Sequence, residues 1–409
     1  MSSLNLDTRS KKKQRTKQDS HRPTPPIIKE NRNGRWIQKA GWKLGGPSGL
    51  GKMAGKDSYG TTRDQYIAEI WEKCQPDYFQ AMMNKYCDGK LSKKKMQEKM
   101  VDDDIELSGD TPNPDGWHRK IGGVIGKLIK MEGAQRYKEF RKVAQIATKK
   151  FMSIDTDGLK NWKEKEKEIY DMFFSEIKKR TYTSGGTADE ESDIKQYLSN
   201  VDWKTVKRGD INLLTSCCTY DAFKDSRGNE KWLNYEWNPS GEKGWPGRMA
   251  AHLDGILIGK GVIKKEGSKS SQMFKFFDVF EAKQRQGKQF KNIGGPGIES
   301  ERLQCALYCM MLVERPERRQ WQRTPSVVDQ QEAKCGSWLL QTLRDNKERQ
   351  SLDFLPMSVE QFDKINDIVS NFLRDLNLTQ AYHFKEGTPQ HSKSEEHQKR
   401  ICKSAASPI

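Results

Sequence analysis

Residues 276–284 read FFDVFEAKQ: four of the first five positions are apolar, then Glu281 and Lys283 arrive two apart, followed by an amide. A short run rich in aromatic and β-branched residues predicts a β-strand. Side chains alternate across a strand, so Phe277, Val279, Glu281 and Lys283 share one face while Phe276, Asp278 and Phe280 share the other. Glu281 and Lys283 therefore project side by side, ~6–7 Å apart along the strand. Taken alone, such a pair is most simply a core strand running out into solvent. Its surroundings argue otherwise.

Upstream, RMAAHLDGILIG (248–259) reads as a second apolar strand interrupted by Asp254 and a glycine. A carboxylate in the middle of such a strand is costly to bury without a partner. A divalent metal is one such partner, and Asp254 with Glu281 supplies hard oxygen ligands suited to Mg²⁺ or Mn²⁺. VIKKEGSKSSQM (262–273) then reads as the turn region of a hairpin joining the two strands. Downstream, GGPG (294–297) breaks the chain before a helix, ESERLQCALYCMMLVE (299–314), on which Gln304 and Tyr308 lie one turn apart. A metal held by the carboxylates activates water and acts as a Lewis acid. Lys283 beside it can orient or deprotonate that water and add positive charge, and Gln304 can fix the lysine or a phosphate. His252 shares the expected strand face with Asp254, but a lone strand histidine is more simply structural. Cys305 and Cys309 read as apolar fillers of their helix.

Further out, INLLTSCCTY (211–220) and KCGSWLLQTLR (334–344) read as strands. SVEQ (358–361) fits a capping box ahead of the stripe Phe362, Ile365, Val369, Phe372 and Leu376. Residues 61–183 show helical periodicity, and SGGTADEES (184–192) reads as a loop. Trp232, Trp237 and Trp245 fall in a Gly/Pro/Asn-rich stretch, where loop anchoring is a simpler role than base stacking. The order of helices, strands, helix, strand and helix predicts an α/β (α+β) fold with a mixed sheet. Its parts are a disordered basic arm (1–60), a helical region (61–183), a core (184–385) and a polar tail (386–409).

The 409 residues carry a net charge of +17, which points to a polyanionic partner, nucleic acid before membrane. Residues 1–60 hold 14 Lys/Arg against 4 Asp/Glu, or +10 of that total. Within them KKKQRTK (11–17) suits a nuclear import signal or a nucleic-acid contact. GGPSGLGKM (45–53) matches GxxxxGK, but the segment before it reads as no buried strand and Met53 cannot hold magnesium, so no NTPase site is expected. No apolar run is long enough to span a bilayer. The eight cysteines include no CxxC and read as reduced thiols. The expected location is intracellular, with the nucleus offered by the basic arm and the mitochondrion left open.

Asp254-Gly, then Glu281-Ala-Lys283 after a hairpin, then Gln304-x-x-x-Tyr308 on a helix resembles the PD-(D/E)xK nuclease superfamily. The order is most similar to its RecB-like and phage-lambda-type exonuclease branch, which includes mitochondrial genome maintenance exonucleases. The resemblance covers about residues 245–315, and Leu253 stands where the nominal motif has proline. It implies a restriction-endonuclease-like core, a central mixed sheet flanked by helices, in an enzyme that cuts DNA in repair or recombination with magnesium or manganese. Asp254 and Glu281 would be metal ligands, Lys283 the catalytic lysine and Gln304 the supporting glutamine. Glu132, and after it His118, are the candidates for the family's upstream acid or histidine. The expected function is a metal-dependent deoxyribonuclease, an exonuclease by branch resemblance. The alternative is a non-catalytic nucleic-acid-binding or packaging protein on a degenerate nuclease fold.

Overall fold

The computed structural model describes residues 23–406 apart from several segments, the longest being 96–125, 154–165, 286–296 and 314–335. Glu132 and His118 both lie outside the described residues.

The first elements among the described residues are a hairpin, β1 (Ile27–Arg32) and β2 (Arg35–Ala40), followed by β3 (Trp42–Lys43). A 3₁₀ turn at Pro47–Gly49 leads into α1 (Leu50–Met53). Trp42, Leu44, Leu50 and Met53 are all in the main hydrophobic core. The expectation of a disordered arm through residue 60 is therefore wrong over its second half. Its glycines are there for contact: a Cβ at Gly49 would sit 2.1 Å from the Tyr66 hydroxyl, and one at Gly51 would sit 2.7 Å from the Ser300 Cβ. A strand does precede GGPSGLGKM, contrary to the sequence reading, but Met53 is core and Lys52 lies over the Tyr66 ring.

Thr62 and Gln65 close a reciprocal capping box that starts α2 (Arg63–Cys74), and α3 (Pro76–Cys87) follows. Both pack into the same core as Trp42. Next come α4 (Gly133–Ser153) and α5 (Glu166–Thr187), an antiparallel pair joined by rings such as Phe140 and Phe174, and α6 (Glu190–Asn200). The expected loop at 184–192 is thus mostly helical.

The strands then build two sheets. They are β4 (Lys207–Arg208), β5 (Ile211–Leu213), β6 (Thr219–Asp221), β7 (Trp232–Trp237), β8 (Gly247–His252), β9 (Gly255–Lys264) and β10 (Ser271–Arg285). Helix α7 (Glu299–Val313) separates them from β11 (Gly336–Leu343) and β12 (Asn346–Pro356). The larger sheet runs β12-β11-β10-β9-β5-β4, with β6 also paired to β9. β10 and β11 are parallel and their neighbours antiparallel, so the sheet is mixed. Parallel neighbours need a crossover, and the connection between these two carries α7. The smaller sheet is β3-β8-β7. The run expected as one strand over 248–259 is in fact two, broken at Leu253–Asp254, where the chain leaves one sheet for the other.

Helices cover both faces of the larger sheet. On one face α7 packs on β10 and β11, and α8 (Val359–Leu378) packs on α7 and α2, all in one core with Ile256, Val279 and Leu339. Four residues of the α8 stripe, Ile365, Val369, Phe372 and Leu376, are fully buried there. On the other face Ile194 and Leu198 of α6 meet Leu257, Phe276, Phe280 and Trp338. The expected polar tail is α9 (Pro389–Ala405), capped by Thr388, with Ile401 and Cys402 buried in the core against α2 and α3. The protein is thus an α/β fold with a central mixed sheet flanked by helices.

Candidate active site

The alternation expected of FFDVFEAKQ holds in β10. Val279 joins the core beneath α7, whereas Phe276, Phe280 and Ala282 join the core beneath α6. Asp278 points with the second set and is fully buried. Its carboxylate accepts from Arg208 Nε (2.6 Å) and Nη2 (2.8 Å) and from Trp338 Nε1 (3.1 Å). The Arg208 guanidinium lies between the rings of Phe276 and Phe354. This pair holds the back of β10 and leaves Glu281 and Lys283 to the α7 side.

Pairing between β9 and β10 ends at Gly255 and Phe280, so β10 runs on past its neighbour. At that point the Asp254 carboxylate takes the place of a ladder partner, its Oδ2 accepting the Ala282 N–H at 2.8 Å. The Asp254 carbonyl accepts from the Tyr220 hydroxyl at 2.7 Å. Gly255 is required here by space: a Cβ would lie 2.3 Å from the Tyr220 ring and 2.9 Å from the Asp221 carbonyl oxygen. The aspartate is thus placed by a bend between sheets and not within a strand. Tyr220 is the residue the sequence reading missed, since nothing in INLLTSCCTY distinguishes it from a strand aromatic.

Glu281 is only 2% exposed, and one of its oxygens, Oε1, accepts from both Lys283 Nζ and Gln304 Nε2, the latter at 2.7 Å. The Gln304 amide also donates to the Tyr308 hydroxyl at 3.1 Å. The i, i+4 spacing of Gln304 and Tyr308 places both over the carboxylate. Lys283 keeps 27% of its side chain exposed while its ammonium donates to the buried Glu281 carboxylate. Burial disfavours that charge, but the Glu281 and Asp254 carboxylates outweigh it and hold Lys283 above the ordinary lysine range. Burial, and then the same carboxylates, push the Tyr308 hydroxyl well up and keep it neutral. The Cys305 thiol is pushed up to about 12 by burial and by Glu281, which makes it a poor nucleophile. Cys74, Cys87, Cys305 and Cys402 are free thiols.

Asp254, Glu281, Lys283 and Gln304 are therefore brought together, with Tyr308 beside them. Among the described residues no group of three or more His, Cys, Asp or Glu converges as a metal site. Two carboxylates are nonetheless the donor set a Mg²⁺ or Mn²⁺ ion accepts, because such ions keep several of their waters. The donors fit that group, and they do not fit a nitrogen- or sulfur-ligated zinc site.

His252 ends β8, two residues before Asp254, and Trp232 is its cross-strand partner on β7. Trp237 and Trp245 are anchors: Trp237 Nε1 donates to Asn366 Oδ1 at 3.0 Å, and the Trp245 backbone N–H donates to Asn377 Oδ1 at 2.8 Å. Trp232 is different, being 52% exposed. No family model, curated protein or solved structure matches the chain. No helix among the described residues is long and apolar enough to cross a membrane.

Proposed function

We propose that the protein is a Mg²⁺- or Mn²⁺-dependent deoxyribonuclease on a restriction-endonuclease-like core, and an exonuclease by its branch resemblance. The observation that carries this reading is the convergence of Lys283 and Gln304 on one oxygen of Glu281, next to the Asp254 carboxylate. Asp254 and Glu281 would hold the ion. When bound, it supplies a water of lowered pKa and neutralises charge on the phosphoryl oxygens. Lys283, as an ammonium beside Glu281, donates to the attacking water or a non-bridging oxygen and adds positive charge where the transition state gains negative charge. Gln304 fixes the Glu281 carboxylate in one orientation, and the buried Tyr308 hydroxyl fixes Gln304. The net charge of +17 favours a DNA partner and a strong salt dependence of binding.

The test is cleavage of labelled single- and double-stranded DNA with Mg²⁺, Mn²⁺ or EDTA, by wild type, Asp254→Ala and Lys283→Ala. Metal-dependent cleavage by wild type alone supports the enzyme. No metal-dependent cleavage by wild type leaves the non-catalytic nucleic-acid-binding reading in its place, and variants that cleave as well as wild type refute this site as its source.

A further inference from the structure

Trp232 and Tyr137 are the two large hydrophobic side chains that stand exposed among the described residues, Trp232 at 52%. A half-exposed indole presents a flat apolar face of the kind on which a nucleic-acid base stacks. Trp232 pairs across the strands with His252, their ring centroids 5.8 Å apart and their planes at 52°. The His252 Nε2 is buried without a hydrogen-bond partner, and the ring packs on the indole. The two rings form one unit, and that unit is tied to the carboxylates by backbone. His252 and Asp254 are two residues apart, which allows at most ~7 Å between their Cα atoms. Cross-strand partners are ~5 Å apart at Cα, so the Trp232 backbone lies within ~13 Å of that of Asp254.

We propose that Trp232, backed by His252, stacks one unpaired base of the DNA strand being cut. The substrate is then a single strand or the frayed end of a duplex, because a base offers its π-face to a side chain only outside the duplex stack. The proposal deepens the nuclease reading and rests on it.

Binding is measured by fluorescence anisotropy with a labelled oligodeoxythymidine in EDTA, using strands with one abasic position moved stepwise along the chain. Trp232→Ala is expected to raise Kd about 5- to 150-fold, the range of one base–aromatic stack. Trp232→Phe keeps most of the affinity. One abasic position weakens wild type as much as Trp232→Ala does and weakens Trp232→Ala no further. An unchanged Kd for Trp232→Ala overturns the proposal. So do abasic penalties that add to the substitution at every position, the pattern a merely structural tryptophan produces. Magnesium-dependent cleavage by wild type is followed in parallel. Coupling at one position without cleavage rejects the nuclease and keeps the stacking site, whereas cleavage without coupling does the reverse.

Discussion

Removing either half of the Arg208–Asp278 pair strands a charge in the core. The side chains are 1% and 0% exposed and joined through two hydrogen bonds, with Trp338 Nε1 as a third donor. Breaking such a pair costs about 3–5 kcal/mol, so Arg208→Met and Asp278→Leu should each destabilise by that amount. The double substitution behaves differently. Its new apolar side chains sit against Phe276 and Phe354, and exchanging a buried ion pair for apolar packing gains about 1–4 kcal/mol. Against this, Trp338 Nε1 loses its acceptor, which costs about 1–3 kcal/mol. The two nearly cancel, and the double variant should lie within about 2 kcal/mol of wild type. Denaturant midpoints at constant m value, followed by tryptophan fluorescence, measure all four proteins of the cycle. A double variant as unstable as the sum of the singles would refute the reasoning, as would a single variant within about 1 kcal/mol of wild type. Metal-dependent cleavage by the double variant then shows whether an apolar back is enough to keep Glu281 and Lys283 in place.

Gln304→Ala removes a donor from a buried carboxylate, worth about 1.5–3 kcal/mol, so kcat should fall about 10- to 150-fold with little change in KM. Steady-state kinetics on a labelled strand check this, and an unchanged kcat contradicts the role given to Gln304. Gly255→Ala forces a Cβ against the Tyr220 ring and should cost about 1–3 kcal/mol, read as a lowered thermal midpoint. The His397 imidazole accepts from Arg400 at Nδ1 (3.2 Å) and donates from Nε2 to the Asp375 carbonyl (3.0 Å), which only the neutral ring can do. Burial, and then Arg400, hold its pKa below the ordinary histidine value. The unfolded chain therefore takes up the proton first, and stability present above about pH 6.5 is lost as pH falls from there through the folded-state value. His397→Gln should flatten that part of the stability–pH curve, and parallel curves for the two proteins would count against the assignment.

The site was legible because its information is local. Alternation in FFDVFEAKQ sorts Asp278 from Glu281 without any tertiary knowledge, and helical spacing pairs Gln304 with Tyr308. The hairpin between β9 and β10 brings the second carboxylate near the first. What escaped is set by contacts distant in sequence. An apolar run such as RMAAHLDGILIG carries no mark of the point at which a chain changes sheets, and that point is fixed by Tyr220 lying on Gly255. The glycines and lysines of residues 41–56 resemble a flexible arm in composition, yet Gly49 and Gly51 are small because Tyr66 and Ser300 press on them. Charge dominates α9, and the few apolar positions it buries are too sparse to outweigh it. Strand β12 lies at the sheet edge, where one unpaired side tolerates the polar residues of NKERQSLDFLP.

The closure of the fold by segments far apart in sequence bears on how the chain is made. Gln398 on α9 donates to the Tyr78 hydroxyl on α3, 320 residues earlier, at 2.7 Å. A ribosome adding about 5–20 residues per second delivers Gln398 roughly 16–64 s after Tyr78. Throughout that interval the surfaces of α2 and α3 that meet Ile401 and Cys402 have no cover. Nascent chains should therefore depend on a holding chaperone until α9 emerges, and a premature stop ahead of α9 should yield aggregated protein even though the whole candidate site has been translated.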